Sequence, residues 1–158
     1  MPCGRIVLTS QVLSHSFSCS YFNYPAGWLW KDQFWNHNNM DVVALFHLGW
    51  SQVSAAHQKA IAAEIDHMLT WCLHDSLQPD GSFKVNIADG SLEDAEYYGA
   101  SFLARVGFFD PAQRFWTDRD FPESPEIKKR ILSFVRAHQG SGPTGDNYRS
   151  TLEALETR

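Results

Sequence analysis

The sequence lacks an apolar run long enough to cross a membrane, and it lacks a basic segment suited to nucleic acid. A membrane helix needs about 20 consecutive apolar residues, and polar residues interrupt every apolar stretch of this chain. Lys and Arg number 13 against 18 Asp and Glu, for a net charge of -5. Because phosphate binding depends on clustered positive charge, we expect no nucleic-acid partner and no membrane span.

Cysteine is also scarce. The three cysteines, Cys3, Cys19 and Cys72, are far apart, odd in number and without a metal-binding spacing such as C-x-x-C. This pattern is typical of a reduced protein without a disulfide framework. The N-terminal run IVLTSQVL is too often interrupted by polar residues for a signal peptide. We therefore expect a cytoplasmic protein.

What the chain does contain is enough apolar surface for one folded domain over residues 1–158. Hydrophobic residues make up 44% and charged residues 20% of the sequence, which is typical of globular proteins. Residues 1–39 are rich in aromatics and irregular. Within them SHSFSCSYF, residues 14–22, alternates polar and apolar side chains and predicts a short strand-like segment.

Residues 40–157 show the periodicity of helices. A first helix is predicted over 41–50, with an N-cap at Asn38 or Asn39. Its apolar residues suit a mostly buried helix: Val42, Leu45, Phe46 and Leu48. A second helix is predicted over 55–73, capped by Ser54, with apolar residues repeating every three or four positions.

Three further helices are predicted toward the C-terminus. The third opens at Ser91, with Asp94 three residues later in a capping-box-like arrangement, and Gly107 suits its end. A fourth is predicted over 126–138 and a fifth from about Asp146. The fold class is therefore mostly α.

An internal repeat organises these helices. A helix, a Gln, a Gly-containing turn and a helix led by aromatic residues occur in that order twice, with Tyr97-Tyr98 in the first copy and Tyr148 in the second. A period of roughly 50–60 residues is typical of helical hairpins that bury their apolar faces against neighbouring units. We expect stacked helical hairpins.

The turn QPDGSF, residues 78–83, resembles the Q-x-x-D-G-S-W motif of squalene and other terpene cyclases. It also resembles the Asp-Gly-Ser-Phe turns of protein prenyltransferase β subunits, and Glu93-Asp94, Tyr97-Tyr98 and Gly107 resemble the inner helix of such a repeat. The resemblance implies part of an α/α toroid. Because the Asp-rich acid motif and a zinc set are both missing, it implies no catalytic residue.

Two carboxylate patterns have structural explanations. Glu64 and His67 share a helix face, but a di-iron bundle needs a second such pair, and none occurs. Asp80, Asp89 and Asp94 lie at turns or at a helix start, where Asp forms turns and caps helices. We therefore expect no metal and no cofactor.

Two function classes remain open. The first is a helical-repeat module that binds a small molecule or carbohydrate, or that forms a homodimer through an exposed hairpin edge. Aromatic rings next to amides can stack on a ligand while the amides bind its hydroxyls. The candidate ligand-binding residues are Trp28, Trp30, Trp35, Asn36, His37, Tyr97 and Tyr98.

The alternative is an enzyme acting on carbohydrate or isoprenoid substrates. Glu93 or Asp94 would then serve as the general acid, which requires one of the two carboxyls to be desolvated. Acidic residues in a first helical turn also interact favourably with the helix dipole, so the pattern has a structural explanation as well.

Overall fold

The computed structural model describes residues 34–86, 90–138, 151–153 and 155–156. Four helices account for most of them: α1 (Asn36–Gly49), α2 (Ala55–Trp71), α3 (Leu92–Arg105) and α4 (Ser124–His138). Residues 151–153 and 155–156 are also helical. The mostly α prediction is confirmed, while the predicted strand-like segment at 14–22 lies outside the described residues.

Helix α1 begins earlier than predicted. Its N-cap is Trp35, which has extended backbone angles and makes no side-chain cap hydrogen bond. Placing the cap at Asn38 or Asn39 was wrong, because both lie inside the helix. The first turn is held by tertiary contact, since Asn36 Nδ2 donates to Ser76 Oγ over 2.9 Å.

The N-caps of α2 and α3 are the residues that the sequence predicted. Ser54 accepts a hydrogen bond from the His57 N–H, and Ser91 accepts one from the Asp94 N–H at 3.1 Å. Each cap satisfies a backbone donor that has no partner within its helix. Gly107 ends α3 with a φ of 70°, the left-handed conformation that glycine adopts readily. These predictions are confirmed.

Helix α3 is the centre of the packing. It buries residues on most of its circumference, and α1 packs along it. A π-helical turn, Cys72–Ser76, extends α2 and leads into the QPDGSF turn. The fully buried side chains of the core include Val43, Ile61, Ile65, Met68, Phe83, Phe102, Leu103, Phe108, Ile131 and Leu155.

The buried face of α1 differs from the predicted one. Leu45 is 47% exposed and Leu48 is 67% exposed, so the prediction that both lie in a mostly buried helix was wrong. The face that meets α3 instead carries two asparagines. The buried residues of α1 are Asn36, Asn39, Met40, Val43, Phe46 and Gly49.

A long connection between α3 and α4 is tied to the core by side chains. Trp116 Nε1 donates to the Val106 carbonyl at 2.9 Å, and Arg119 pairs with Asp66 of α2 at 2.7 Å. No helix among the described residues has the length and apolar character that crossing a membrane requires.

Candidate functional site

The QPDGSF turn is held by its own hydrogen bonds. Asp80 Oδ1 accepts from the Ser82 N–H at 3.0 Å and from Ser82 Oγ at 2.7 Å. These hydrogen bonds lower the pKa of Asp80 below its ordinary value. The Gln78 N–H donates to the Ser82 carbonyl at 2.8 Å, and Leu77 pairs with Phe83 in an antiparallel bridge. The turn is therefore a compact unit.

This turn contacts two helices, α3 and α4. The Phe83 N–H donates to Glu96 Oε1 of α3 over 2.6 Å, and the Phe83 ring lies against Gly99, where any side-chain carbon would collide with it. Gly81, with a φ of 96°, lies directly on the backbone of Arg130 in α4. The motif thus joins the α2 end to α3 and α4.

Four rings from α3 and the start of α1 contact one another near the motif, and we call them the aromatic row. His37 stacks on Tyr98 with centroids 4.1 Å apart and planes 3° apart. Trp35 meets His37 edge-on at 4.9 Å, and Tyr97 meets Tyr98 at 5.4 Å. All four residues are half-buried. The row therefore bridges α1 and α3 while part of each residue remains accessible.

Carboxylates flank the aromatic row. Asp41 Oδ2 lies 3.5 Å from His37 Nε2, one helical turn further along α1. Glu93 and Asp94 lie one turn before Tyr97 and Tyr98 on α3 and are half-buried. The predicted acidic and aromatic residues of α3 therefore share one end of the helix.

Four polar side chains of α1, α3 and the π-helical turn are buried, and we call them the buried polar cluster: Asn36, Asn39, Ser76 and Glu96. Asn39 and Glu96 are 0% exposed and Asn36 is 4% exposed. Hydrogen bonds connect three of its four members to one turn: Asn36 donates to Ser76, the Ser76 carbonyl accepts from the Lys84 N–H, and neighbouring Phe83 donates to Glu96.

Four atoms of the cluster have no hydrogen-bond partner among the described residues. They are Asn36 Oδ1, Asn39 Oδ1, Asn39 Nδ2 and Glu96 Oε2. Each buried polar atom left in this condition costs roughly 1–3 kcal/mol. Native proteins contain few such groups, and they often lie at functional positions.

Glu96 is the carboxyl with the most unusual environment in this region. Burial raises its pKa to about 8, while the hydrogen bond from the Phe83 N–H acts in the opposite direction and the charge of Asp80 adds a small further increase. Glu96 is therefore mostly protonated at pH 7. In that state Oε2 carries a hydrogen and can donate a hydrogen bond.

The structure brings together only part of the predicted ligand-binding set. Trp35, His37, Tyr97 and Tyr98 form the aromatic row, and Asn36 lies beneath it with its amide turned into the core. The positions of Trp28 and Trp30 lie outside the described residues.

Asn39 belongs to the aromatic- and amide-rich segment 28–39, and Glu96 to the acidic and aromatic run 93–98. Both segments suggested a ligand site from the sequence, but neither residue was selected as a site residue. Glu96 lies between Leu92 and Gly99 at helical spacing, so a polar residue interrupts an apolar face, and that signal was available. The signal at Asn39 was ambiguous, because an asparagine before an apolar run also suits a helix cap.

The other pattern that suggested chemistry lies apart from this region. Glu64 and His67 are 3.9 Å apart on α2, and the His67 side chain is 71% exposed. Within residues 34–86, 90–138 and the short C-terminal helical pieces, no three His, Cys, Asp or Glu side chains are grouped to hold a metal ion.

The sequence matches no protein-family model, no curated protein and no solved structure. The function of this chain must therefore be inferred from its own residues.

Proposed function

We propose that the protein is a ligand-binding module built from helical repeats of the α/α-toroid type, and that the aromatic row is its binding surface. The supporting observation is the contact of four half-buried rings across the α1–α3 interface. Here they remain partly open to a ligand.

The chemistry of the row favours a small ring-shaped molecule. Aromatic rings supply a large apolar contact area and lose little conformational freedom on binding, since each has only two side-chain torsions. His37 adds a polar edge next to Asp41. A planar small molecule or a carbohydrate ring fits this combination of stacking surface and polar rim.

A direct test is ligand-observed saturation-transfer NMR with a panel of neutral sugars and planar heterocycles. Trp35→Ala and Tyr97→Ala should each weaken binding of any hit by about tenfold or more, because each removes a ring of the row. His47→Ala is the matched control, since His47 stacks on Phe115 at 4.4 Å elsewhere on the surface. Equal binding by all three variants would remove the row as the site.

The alternative function is an enzyme on carbohydrate or isoprenoid substrates, with Glu93 or Asp94 as the general acid. The raised pKa of Glu96 favours an acid on this helix but at a different residue, since a neutral carboxylic acid is what general-acid catalysis needs near pH 7. Turnover that survives Glu93→Gln and Asp94→Asn but not Glu96→Gln would transfer the acid role to Glu96.

We further propose that the protein forms a homodimer through an exposed hairpin edge. Leu45 and Leu48 lie on the outer side of α1 and are 47% and 67% exposed, so α1 offers apolar surface to a partner. Light scattering should show a dimer that Leu48→Glu converts to a monomer. A monomeric wild type would exclude this proposal.

A cytoplasmic location is also proposed, because Cys72 is a buried free thiol and such thiols persist in reducing compartments. Cell fractionation tests this, and recovery of the protein from the culture medium would exclude it.

A further inference from the structure

The buried polar cluster presents an unusual set of free hydrogen-bonding atoms. Asn36 Oδ1 and Asn39 Oδ1 are acceptors, Asn39 Nδ2 is a donor, and all three lack partners among the described residues, as does Glu96 Oε2. Apolar side chains at these positions would avoid the cost of burying such atoms. The presence of these polar side chains therefore indicates a ligand whose polar groups form the missing hydrogen bonds.

The cluster and the aromatic row occupy adjacent positions on the same two helices. Asn36 precedes His37 on α1, and Glu96 precedes Tyr97 on α3. The stacked pair His37 and Tyr98 bridges the two helices, and the His37 side chain is 35% exposed.

The free atoms select the chemical class of the guest. A protonated Glu96 and the Asn39 amide nitrogen donate hydrogen bonds, while the two Asn oxygens accept them. A hydroxyl group does both at once, so it matches this mixed set. An anionic group would face the two Asn oxygens, and a cationic group would face the positive end of α1, which begins at Asn36.

We propose that Asn36, Asn39 and Glu96 bind hydroxyl groups of the ligand, which makes that ligand a neutral polyhydroxylated ring such as a sugar or a cyclitol. This inference rests on the proposed ligand-binding function and adds its chemical class. The ring stacks on the aromatic row, and its hydroxyls enter between α1 and α3 once His37 has turned aside.

Asn39→Leu separates a ligand-binding role from a structural one. Leu has a similar size and removes both unpartnered amide atoms, so we expect an unchanged or higher midpoint of thermal unfolding together with about tenfold weaker sugar binding. A clearly lower midpoint would overturn the inference, because it would mean that the Asn39 amide is satisfied within the fold itself, for example by internal water.

The binding panel consists of glucose, galactose, mannose, N-acetylglucosamine and myo-inositol, with glucosamine as the cationic, glucuronate as the anionic and indole as the unhydroxylated comparison. At least one neutral hydroxylated ring should bind more tightly than all three comparisons. Glu96→Gln should weaken that binding by about tenfold, and Glu64→Gln on α2 is the matched control expected to leave it unchanged.

The outcomes distinguish the two proposals. Binding of a ring that depends on Trp35 but not on Asn39 or Glu96 would overturn this inference and leave the proposed function standing. Preferential binding of indole, glucosamine or glucuronate would do the same. If no compound binds the wild type, the proposed function fails and this inference fails with it.

Discussion

The QPDGSF turn and the buried polar cluster meet at Glu96 of α3, yet they are built in opposite ways. In the turn, Asp80 accepts two hydrogen bonds from Ser82, and the Phe83 ring fills the space that Gly99 leaves. In the cluster, Asn39 is enclosed with neither amide atom paired. The hydrogen bonds of the turn stabilise the fold, whereas the unpartnered polar atoms of the cluster destabilise it.

Glu96 belongs to both regions. Its Oε1 accepts the Phe83 N–H of the turn, and its Oε2 faces the cluster without a partner. Departures from full hydrogen bonding in an otherwise consistent fold are expected at functional sites. The two carboxyl oxygens of Glu96 therefore differ in role: Oε1 organises the fold through the turn, and Oε2 is the atom that we propose binds a ligand.

The largest effect is expected at the centre of the turn. Phe83→Ala removes a ring that is 1% exposed and leaves a cavity against Gly99, which should lower the free energy of unfolding by about 3–5 kcal/mol. Urea denaturation measures this. Val85→Ala, at a 46% exposed position two residues away, is the control and should change little. Similar losses for both variants would show that the turn does not anchor the fold.

The pH dependence of stability tests the residue that both regions share. Because the pKa of Glu96 rises from its ordinary 4.5 to about 8 on folding, the folded state binds more protons than the unfolded state between these values. Its contribution to stability is therefore fully present below pH 4.5 and is lost as pH rises through 8, by about 5 kcal/mol.

The measurement compares urea denaturation of the wild type and Glu96→Gln from pH 5 to 9. The wild type should lose stability relative to the variant across this range, while Glu64→Gln should follow the wild type. Parallel curves for the wild type and Glu96→Gln would mean that Glu96 is ionised in the folded protein, which would contradict its role as a neutral donor.

A smaller effect is expected where the turn meets α4. Gly81→Ala adds a side chain to a residue with a φ of 96° and places it against the Arg130 backbone, so we expect a loss of about 3 kcal/mol. Gly90→Ala has a similar φ of 83° but no close backbone neighbour, and should cost about 1 kcal/mol. Equal losses would show that the contact with α4 is unimportant.

The smallest effect is expected at Asp80, which is exposed. Its pKa is lowered by hydrogen bonds from Ser82, so its contribution is present above the ordinary Asp pKa and is lost as pH falls through the lowered value. Asp80→Asn keeps an oxygen that can accept the Ser82 N–H. The variant should therefore reduce the thermal midpoint only slightly at pH 7 and less at pH 3. A larger reduction at pH 3 would contradict this explanation.

Prediction from sequence succeeded where the signal was local. Ser54 and Ser91 cap helices as expected because a hydroxyl three residues before a backbone N–H is a short-range arrangement, and Gly107 ends α3 for a similarly local reason. The helices α2, α3 and α4 follow from apolar spacing. The α/α-toroid resemblance and the ligand-binding function remain proposals.

Prediction failed on α1, where local signals conflict with packing. Leu45 and Leu48 are apolar but exposed, and Asn36 and Asn39 are polar but buried. The rotation of a helix about its axis depends on what it packs against, and α1 packs along α3, a helix more than 40 residues away in the chain. Composition within α1 carries no information about that partner.

The sequence by itself determined the mostly α class, the helix caps and the QPDGSF turn, because each depends on side chains and backbone groups a few residues apart. Only the tertiary structure decided which ring stacks on which, that Asn39 is enclosed, and that Glu96 is neutral near pH 7. Those properties depend on desolvation by distant residues, and burial raises the pKa of Glu96 only when α1, α3 and the turn are assembled.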